Sequence, residues 1–319
     1  MTNNDIIQNN ETTEKLCIIV VTYNAEKWLE KCFNIFRHNK NVEILAIDNG
    51  SSDNTVSILK QNFQHVKVIE TGENIGFGKA NNIGLKYALN NNFGKVLLLN
   101  QDVWISETDI YKLINIQNEN LDFYIVSPLH FNGLGNNLDK KFSNYLIWCA
   151  QELCNDAIVG KYYKKIYNST YCNAACWLLS KKCLEEIGGF NPSFYHYEED
   201  TNYLQRVFYN NKKLGIVPSC KCFHDRENRV PSNLFFSQFA IKYREQVLNP
   251  ISDPNKNPIF KIEFLLIVKL ITKLIINTLK LNFFGIKLYS MLLFKYLINR
   301  KQILKNRKIV LARELTKIH

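Results

Sequence analysis

Short apolar runs alternate with segments of helical spacing along the first 130 residues. The runs at 16–22, 42–47, 66–69 and 95–100 are rich in β-branched and aliphatic residues, which is typical of strands buried on both faces. Apolar spacing predicts helices over 25–38, from 54 towards 62, over 78–91 and over 107–117. This alternation predicts an α/β fold with a mostly parallel central sheet, whose ligand site lies at the carboxyl ends of the strands.

The alternation weakens after a fifth apolar run at 123–126. Residues 130–170 are rich in Asn, Lys and Tyr and predict an irregular connection, before a further strand at 173–179 and a helix after Asp200. We therefore divide the chain into a polar lead-in (1–14), a catalytic α/β domain (15–228) and a helical carboxyl-terminal region (229–319).

Charge is concentrated in the last fifth of the chain. The net charge is +11, yet residues 256–319 alone hold fourteen basic and two acidic side chains. A neutral body with a basic, apolar tail argues against a nucleic-acid binder and favours an anionic membrane surface as partner. No apolar run reaches the roughly 18 residues of a membrane span, so the tail predicts amphipathic helices lying at the interface, with a break near Gly285. The alternative is that these helices pack their apolar side on the catalytic body and leave the lysines in solvent.

The polar amino terminus lacks the apolar segment of a secretory signal, so we expect a reducing, cytoplasmic location for the nine cysteines. Cys220, Cys222 and His224, with Cys172 and Cys176 upstream, could hold a structural zinc ion. Alternation of this kind is more typical of one face of a buried strand.

Polar residues follow three of the predicted strands. Thr22 and Asn24 follow the first strand, Asp48 the second, and Gln101 and Asp102 the fourth. Parallel strands bring such residues to one edge of a sheet. A carboxylate there suits Mg²⁺ or Mn²⁺ holding a diphosphate, although Asp102 could instead cap a helix.

The segment after the third strand contains Gly76 and Gly78, with Asn74 and Asn81 beside them. The glycines would let the backbone approach a ligand, or serve only the turn that starts the next helix. A dinucleotide-binding fingerprint is disfavoured, because the glycines follow the third strand and the final glycine is missing.

A second acidic site lies at Glu199 and Asp200, before a segment of helical spacing. A loop carboxylate there can act as a general base towards a hydroxyl group. The alternative is that Asp200 only caps the helix.

Ordered sequence blocks resemble glycosyltransferase family 2, in particular its rhamnosyltransferase-like bacterial members. The blocks are CIIVVTYN (17–24), IDNGSSDNT (47–55), NIGFGKANNIG (74–84), NAACWLLS (173–180), GGF (188–190) and EEDTNYL (198–204).

This resemblance implies a GT-A fold, a nucleotide-diphospho-sugar donor, a divalent cation and inverting transfer to an acceptor hydroxyl. Asp200 would be the catalytic base with Glu199 as its partner, and Asp102 and His224 would hold the metal. The implied donor-binding residues are Thr22, Asn24, Asp48, Asn74, Gly76, Gly78, Asn81 and Gln101.

Two positions depart from the family pattern, since Asn100 and Asn202 stand where acids are usual. We expect a sugar transferase of bacterial surface polysaccharide synthesis, with rhamnose as the leading donor sugar and a lipid-linked or glycan acceptor. A lipid-linked acceptor cannot leave the bilayer, so the enzyme would work at the inner face of the cell membrane. Alternatives are a UDP- or GDP-hexose donor and a catalytically silent sugar-binding scaffold.

Overall fold

The structure is a computed structural model that describes residues 14–37, 39–225 and 234–313, with the side chains of 234–237 left out. The predicted lead-in lies outside the described residues except for its last position, Glu14.

The four predicted amino-terminal strands form the parallel half of the sheet. They are β1 (Leu16–Thr22), β2 (Val42–Asp48), β3 (Val66–Glu70) and β4 (Lys95–Asn100), in the spatial order β3-β2-β1-β4. The parallel registers place Thr22 opposite Asp48 and Val21 opposite Asn100. The predicted gathering of strand ends at one edge is therefore confirmed.

Helices cover both faces of this parallel half, where α2 is Thr55–Asn62, α3 is Phe77–Asn90 and α4 is Glu107–Glu119. The helix predicted over 25–38 is shorter, with a 3₁₀ turn at Glu26–Trp28 followed by α1 at Leu29–Phe33. Phe36 has φ +49°, which interrupts helical backbone, and its side chain is buried. The apolar spacing beyond residue 33 reflects burial of a loop rather than a helix.

The second half of the sheet is mixed. It contains β5 (Val103–Ile105), β6 (Phe123–Asn132), β7 (Tyr167–Ser169), β8 (Cys176–Ser180) and β9 (Lys213–His224). Strand β8 runs antiparallel to β4 and β6, and β6 pairs parallel with β9, whose other partners β5 and β7 are antiparallel. The short helix α7 (Lys181–Ile187) and α8 (Glu199–Tyr209) connect β8 to β9.

The prediction of an irregular connection over 130–170 is wrong. Two helices, α5 (Lys140–Cys149) and α6 (Gln151–Val159), occupy nearly half of it. The Asp139 side chain accepts the Phe142 N–H at 2.8 Å and starts α5, while Phe142 and Leu146 are buried in the core. Phe142 and Leu146 are the buried apolar residues of α5. Two such positions among polar neighbours do not give the apolar spacing that predicts a helix.

The carboxyl-terminal region is helical, as predicted. It comprises α9 (Leu234–Tyr243), a π-helical segment (Arg244–Leu248), α10 (Asn249–Ser252), α11 (Ile259–Leu279) and α12 (Phe283–Leu311). These helices share a core of their own with Phe194, and Val310 of α12 joins the core beneath the sheet. The break between α11 and α12 falls at 280–282. Gly285, near which the break was predicted, lies just after it in the first turn of α12, where the Asn282 side chain accepts its N–H.

Candidate active site

The carboxyl ends of β1, β2 and β4 form what we call the strand-end edge (residues 22–24, 48–49 and 100–102). Its centre is a buried hydrogen bond of 3.1 Å from the Thr22 hydroxyl to the Asp48 carboxylate. Ser51 adds two donors to Asp48, its N–H at 3.0 Å and its hydroxyl at 2.5 Å. Asp48 is thus held as a fixed acceptor at the end of β2, which suits recognition of a ligand hydroxyl or N–H group.

Gln101 ties the ends of β1 and β4 together. Its side-chain carbonyl accepts the Tyr23 N–H at 2.6 Å, and its amide donates to the Tyr23 carbonyl at 3.1 Å. Beside it, Asn24 has φ +49°, and its side chain accepts the Ser52 N–H at 2.8 Å. Gln101 and Asn24 thus lie at the predicted edge, and their side chains make hydrogen bonds to backbone groups there.

Asn74 and Gly76 lie where β3 leads into α3. Asn49, a residue that sequence reasoning missed although it follows Asp48 directly, donates its amide to Asn74 at 3.0 Å and accepts the Ile75 N–H at 2.9 Å. Gly76 has φ +91°, and a Cβ there would overlap the carbonyl oxygen of Tyr195. The glycine therefore admits a neighbouring segment of the protein at this point.

Gly78 and Asn81 also face the chain itself. A Cβ on Gly78 would lie 3.1 Å from Cβ of Phe190, and the Asn81 amide donates to the carbonyl of Phe77 within α3. The neighbouring Asn82 exchanges two hydrogen bonds with the Phe190 backbone, at 2.9 and 2.7 Å. The start of α3 is thereby fixed to the loop that leads to Asp200.

Asp102 and His224 are neighbours at the ends of adjoining parts of the sheet. The Asp102 carboxylate lies 3.4 Å from Nε2 of His224, and each side chain is 1% exposed. A carboxylate and an imidazole are both ligands of divalent cations. The described residues contain no group of three or more His, Cys, Asp or Glu arranged to hold a metal, so a cation here would depend on other ligands as well.

We call residues 195–200 the carboxylate segment. Tyr197 and Glu198 both adopt left-handed backbone, with φ +67° and +69°. Asp200 accepts hydrogen bonds from the Tyr171 hydroxyl at 3.0 Å and from the Thr201 N–H at 2.7 Å. Two successive non-glycine residues in this conformation are costly, and such strain concentrates at functional sites. Tyr171 was not foreseen, since it belongs to no motif.

Burial dominates the electrostatics of this segment. It raises the pKa of Asp200, and together with the neighbouring Asp200 carboxylate it raises the pKa of Glu199 to about 8. The pKa of Glu198 is raised as well, mainly by burial and secondly by the Asp200 carboxylate. Carboxyl groups with raised pKa values in one segment are typical of acid–base chemistry.

A short path joins the carboxylate segment to the strand-end edge. The backbone of Ala174 lies close enough to Asp200 to lower the pKa of that carboxyl against the effect of burial. The next carbonyl, that of Ala175, accepts the Asn100 N–H at 2.9 Å. Asp200 and the end of β4 therefore lie on either side of residues 174–175, and Asp102 follows Asn100 by two positions.

Several buried polar atoms around this path have no hydrogen-bond partner among the described residues. They are Asn100 Oδ1, Asn173 Oδ1, Glu199 Oε2 and His224 Nδ1. An unpaired buried polar atom costs about 1–3 kcal/mol. Their concentration here is consistent with a polar ligand that satisfies them.

The cysteines around His224 take structural positions. Cys220 and Cys222 are buried on β9, and Cys220 Sγ lies 3.5 Å from the carbonyl of Asp109. Burial raises the pKa of Cys220 to about 12. Such a thiol is a poor metal ligand, so the strand interpretation is favoured over zinc.

A sheet of this topology, with polar residues at its strand ends and the carboxylate segment nearby, is the arrangement expected of a GT-A fold. Comparison with protein families identifies the family. Residues 17–188, more than half of the chain, match the model described as glycosyl transferase family 2. The chain belongs to this family, and the resemblance of the sequence blocks is confirmed.

Curated relatives have related activities in their names. The chain is 28% identical over 233 residues to the low-salt glycan biosynthesis hexosyltransferase Agl10 of Haloferax volcanii, covering 72% of each protein. It is 24% identical over 209 residues to the dTDP-rhamnosyl transferase RfbF of Shigella flexneri, covering 65% of this chain and 67% of RfbF.

Solved structures support the fold. The chain superposes on S. aureus TarS 1–349 in complex with UDP with a TM-score of 0.51 and 16% identity, covering 72% of this chain and 66% of that one. Another structure of TarS 1–349 gives a TM-score of 0.50 at 15% identity, covering 88% and 91%. At these identities the likeness concerns the fold.

Proposed function

We propose that this glycosyltransferase moves a sugar, with rhamnose as the leading candidate, from a nucleotide-diphospho-sugar to an acceptor hydroxyl by single displacement with inversion. The observation that carries the proposal is the path from Asp200 through Ala174 and Ala175 to Asn100. It brings a candidate base close to the edge where parallel sheets bind nucleotides. The kinship to Agl10 and RfbF supports hexosyl transfer in glycan synthesis.

The donor would bind along the strand-end edge. The fixed Asp48 carboxylate suits a base or ribose hydrogen bond, with Thr22 and Asn24 lining the pocket. Five residues would shape the walls of the pocket rather than contact the donor through long side chains, because they contact mainly the protein itself: Asn74, Gly76, Gly78, Asn81 and Gln101.

Asp200 would act as the general base. It would take the proton of the acceptor hydroxyl while that oxygen forms a bond to the anomeric carbon and the bond to the diphosphate breaks. A raised pKa makes the carboxylate a better proton acceptor, and the Tyr171 hydroxyl at 3.0 Å fixes its orientation. Glu199, buried alongside, would keep a proton near neutral pH and so avoid a second negative charge.

The residues present fit a divalent cation, Mg²⁺ or Mn²⁺. Asp102 and His224 offer an oxygen and a nitrogen donor 3.4 Å apart, and the donor's diphosphate and water would complete the shell. Bound there, the cation would neutralise charge on the departing diphosphate. Asn100, which stands where an acid is usual, has a buried amide oxygen without a described partner and could accept from a cation-bound water.

A thermal-shift screen tests the donor and the cation together. Panels of dTDP-, UDP- and GDP-sugars, each with and without Mn²⁺, should stabilise the protein with one nucleotide preferred. The shift should depend on Mn²⁺ in the wild type and lose that dependence in Asp102→Ala. Stabilisation by no nucleotide sugar would contradict the donor site.

A silent scaffold is the second candidate, favoured by Asn100. Turnover separates the two, because an enzyme releases nucleoside diphosphate only with an intact Asp200, whereas a scaffold releases none in either form.

We further propose that the α11–α12 hairpin holds the enzyme on an anionic membrane. Leu266 and Leu270 face the core, while the opposite side of α11 exposes apolar residues, namely Phe260, Phe264, Leu265, Val268, Ile271, Ile275 and Leu279. Leu279, Leu281 and Phe283 at the hairpin tip are 79%, 74% and 78% exposed. Exposed apolar surface of this extent indicates an interaction face.

The lysines support a lipid partner. Lys269, Lys273 and Lys280 are exposed and fall along one border of that apolar side when placed on a helical wheel, and Lys287 continues the set on α12. Each would add about 1 kcal/mol at an anionic surface. In the described part of the chain, no helix is long and apolar enough to cross a membrane. We propose a peripheral position on the cytoplasmic face.

Vesicle flotation tests this position. Leu281→Asn with Phe283→Asn should reduce binding to vesicles containing anionic lipid at least tenfold, and the fold should persist because both side chains are exposed. Leu121→Asn, an equally exposed apolar residue away from the hairpin, is the matched control. Equal binding by all three proteins would contradict the hairpin's role.

A further inference from the structure

Three cationic side chains from different elements converge beside the carboxylate segment. The Arg244 guanidinium lies 5.3 Å from the ring centroid of Tyr197, and Lys141 Nζ of α5 lies 5.8 Å from the same ring. Lys295 Nζ of α12 lies 4.7 Å from the ring of Tyr243, the residue before Arg244. Tyr197 precedes Asp200, the candidate base, by three positions, so this group, the cation cluster, lies beside the carboxylate segment.

The cluster gathers like charges at a partly buried site. Burial lowers the pKa of Lys295, and the Arg244 charge lowers it further. Arg244 also acts on Glu199: its positive charge lowers the pKa of that carboxyl and so opposes the effect of burial. Cationic side chains gathered on one part of the surface attract a multiply charged anion.

Apolar surface begins directly beside the cluster. Phe294 is next to Lys295 on α12, and Ile298 lies about one turn beyond it. These two side chains are 66% and 64% exposed. A ligand with an anionic head and a hydrocarbon chain could place the head on the cations and the chain along these residues. The other end of the cluster is the carboxylate segment, where the acceptor hydroxyl must come.

We propose that Arg244, Lys295 and Lys141 bind the diphosphate of a prenyl-diphosphate-linked acceptor, between the candidate base and the apolar side of α12. This inference rests on the proposed transfer to a lipid-linked acceptor and gives the diphosphate a specific place. A phosphate contacting Arg244 and Lys295 would gain charge-assisted hydrogen bonds that a neutral glycan could not provide.

Binding of geranyl diphosphate, a soluble probe, to the full chain tests the proposal. The wild type should bind it at least tenfold more tightly than geraniol, and at least tenfold more tightly than inorganic pyrophosphate, which lacks the chain. Arg244→Gln with Lys295→Gln should weaken binding at least tenfold. Arg244→Lys with Lys295→Arg should keep most of it, and Lys182→Gln, an exposed lysine on α7, should bind as the wild type does.

Three results would overturn the inference. These are unchanged affinity in the double glutamine variant, pyrophosphate binding as tightly as geranyl diphosphate, and loss of nucleotide-sugar binding in the same variant, which would assign the cations to the donor. The thermal-shift screen with nucleotide sugars keeps the two proposals apart. If nucleotide sugars stabilise the protein and geranyl diphosphate does not bind, the transferase stands and the lipid-diphosphate site falls.

Discussion

The strand-end edge and the carboxylate segment are built in opposite ways. At the edge, Thr22, Asp48 and Gln101 make hydrogen bonds to neighbouring groups at 2.5–3.1 Å, so their polar atoms are largely satisfied within the protein. In the carboxylate segment, Tyr197 and Glu198 are in left-handed backbone, and Glu199 has a buried oxygen without a described partner. The part of the edge around Asp48 is satisfied within the protein, whereas the carboxylate segment carries the free-energy cost that proteins concentrate where chemistry occurs.

The comparison predicts the largest effect at Asp200. Asp200→Asn removes the group that would accept the proton and should lower turnover roughly 10³-fold, within the range for general-base catalysis. Stability should not fall, because the exchange removes a buried charge. Release of nucleoside diphosphate in the presence of acceptor measures this, and Asp122→Asn, on an exposed carboxylate, is the control. Turnover within tenfold of the wild type would sink the assignment.

Gly76→Ala tests the contact between the two regions. The new Cβ would overlap the Tyr195 carbonyl oxygen in a backbone conformation with φ +91° that only glycine adopts readily. We expect a loss of about 1–3 kcal/mol in the free energy of unfolding. Displacement of the carboxylate segment should lower turnover about 10²-fold.

Gly72→Ala is the matched control for that variant. Gly72 also has a positive φ, +78°, but a Cβ there would meet nothing within 4 Å. It should lose stability and keep turnover. Equal loss of turnover in both variants would mean that backbone strain, and not the Tyr195 contact, sets the activity.

The pH dependence of stability should reveal Glu199. Its pKa in the folded state is about 8, above the ordinary value of 4.5, so between these pH values the folded protein holds a proton that the unfolded chain has lost. Stability from this group is complete below pH 4.5 and is lost as the pH rises towards 8.

Glu199→Gln should therefore be more stable than the wild type at pH 8 by a few kcal/mol, since one pKa unit corresponds to about 1.4 kcal/mol. The gain should vanish below pH 4.5. Urea unfolding at several pH values measures it, with Glu185→Gln on the surface of α7 as control. An identical pH profile in Glu199→Gln and the wild type would refute the raised pKa.

Thr22→Val should have the smallest effect on turnover. It removes the buried hydrogen bond to Asp48 and should cost about 1.5–3 kcal/mol of stability, while the two bonds from Ser51 keep the carboxylate in place. Thr22→Ser keeps the hydroxyl and should lose less. Urea unfolding compares them, and a loss as large in Thr22→Ser would show that packing of the methyl group matters more than the hydrogen bond.

Local pattern was enough to predict the parallel half of the sheet. Strand β1 was predicted at its observed bounds, and β4 likewise, because each is a continuous apolar run whose side chains are buried on both faces. The helices α5 and α6 were missed because few of their side chains are buried. The helix predicted beyond residue 33 failed because Phe36 is buried from a loop.

Site residues divide in the same way. Thr22 and Asp48 end strands β1 and β2, and Asp102 comes shortly after β4. Because parallel strands end at the same edge of a sheet, this common edge could be predicted from the sequence. Tyr171 was missed, and the contacts of Asn49 and Asn82 could not be predicted, since these roles come from residues distant in the chain, such as the 3.0 Å bond from Tyr171 to Asp200. Gly76 was noticed for the right reason, conformational freedom, but it accommodates Tyr195.

The sequence by itself determined the family, the parallel strands of the amino-terminal half and the polar residues at their ends, because these depend on apolar runs and on residues adjacent to them. Only the tertiary structure decided how Asp200 meets residues 174–175, which atoms stay unpaired, and which sides of α11 and α12 face the core. These features arise where segments far apart in the chain pack together, and burial there sets pKa values and exposure that no local pattern contains.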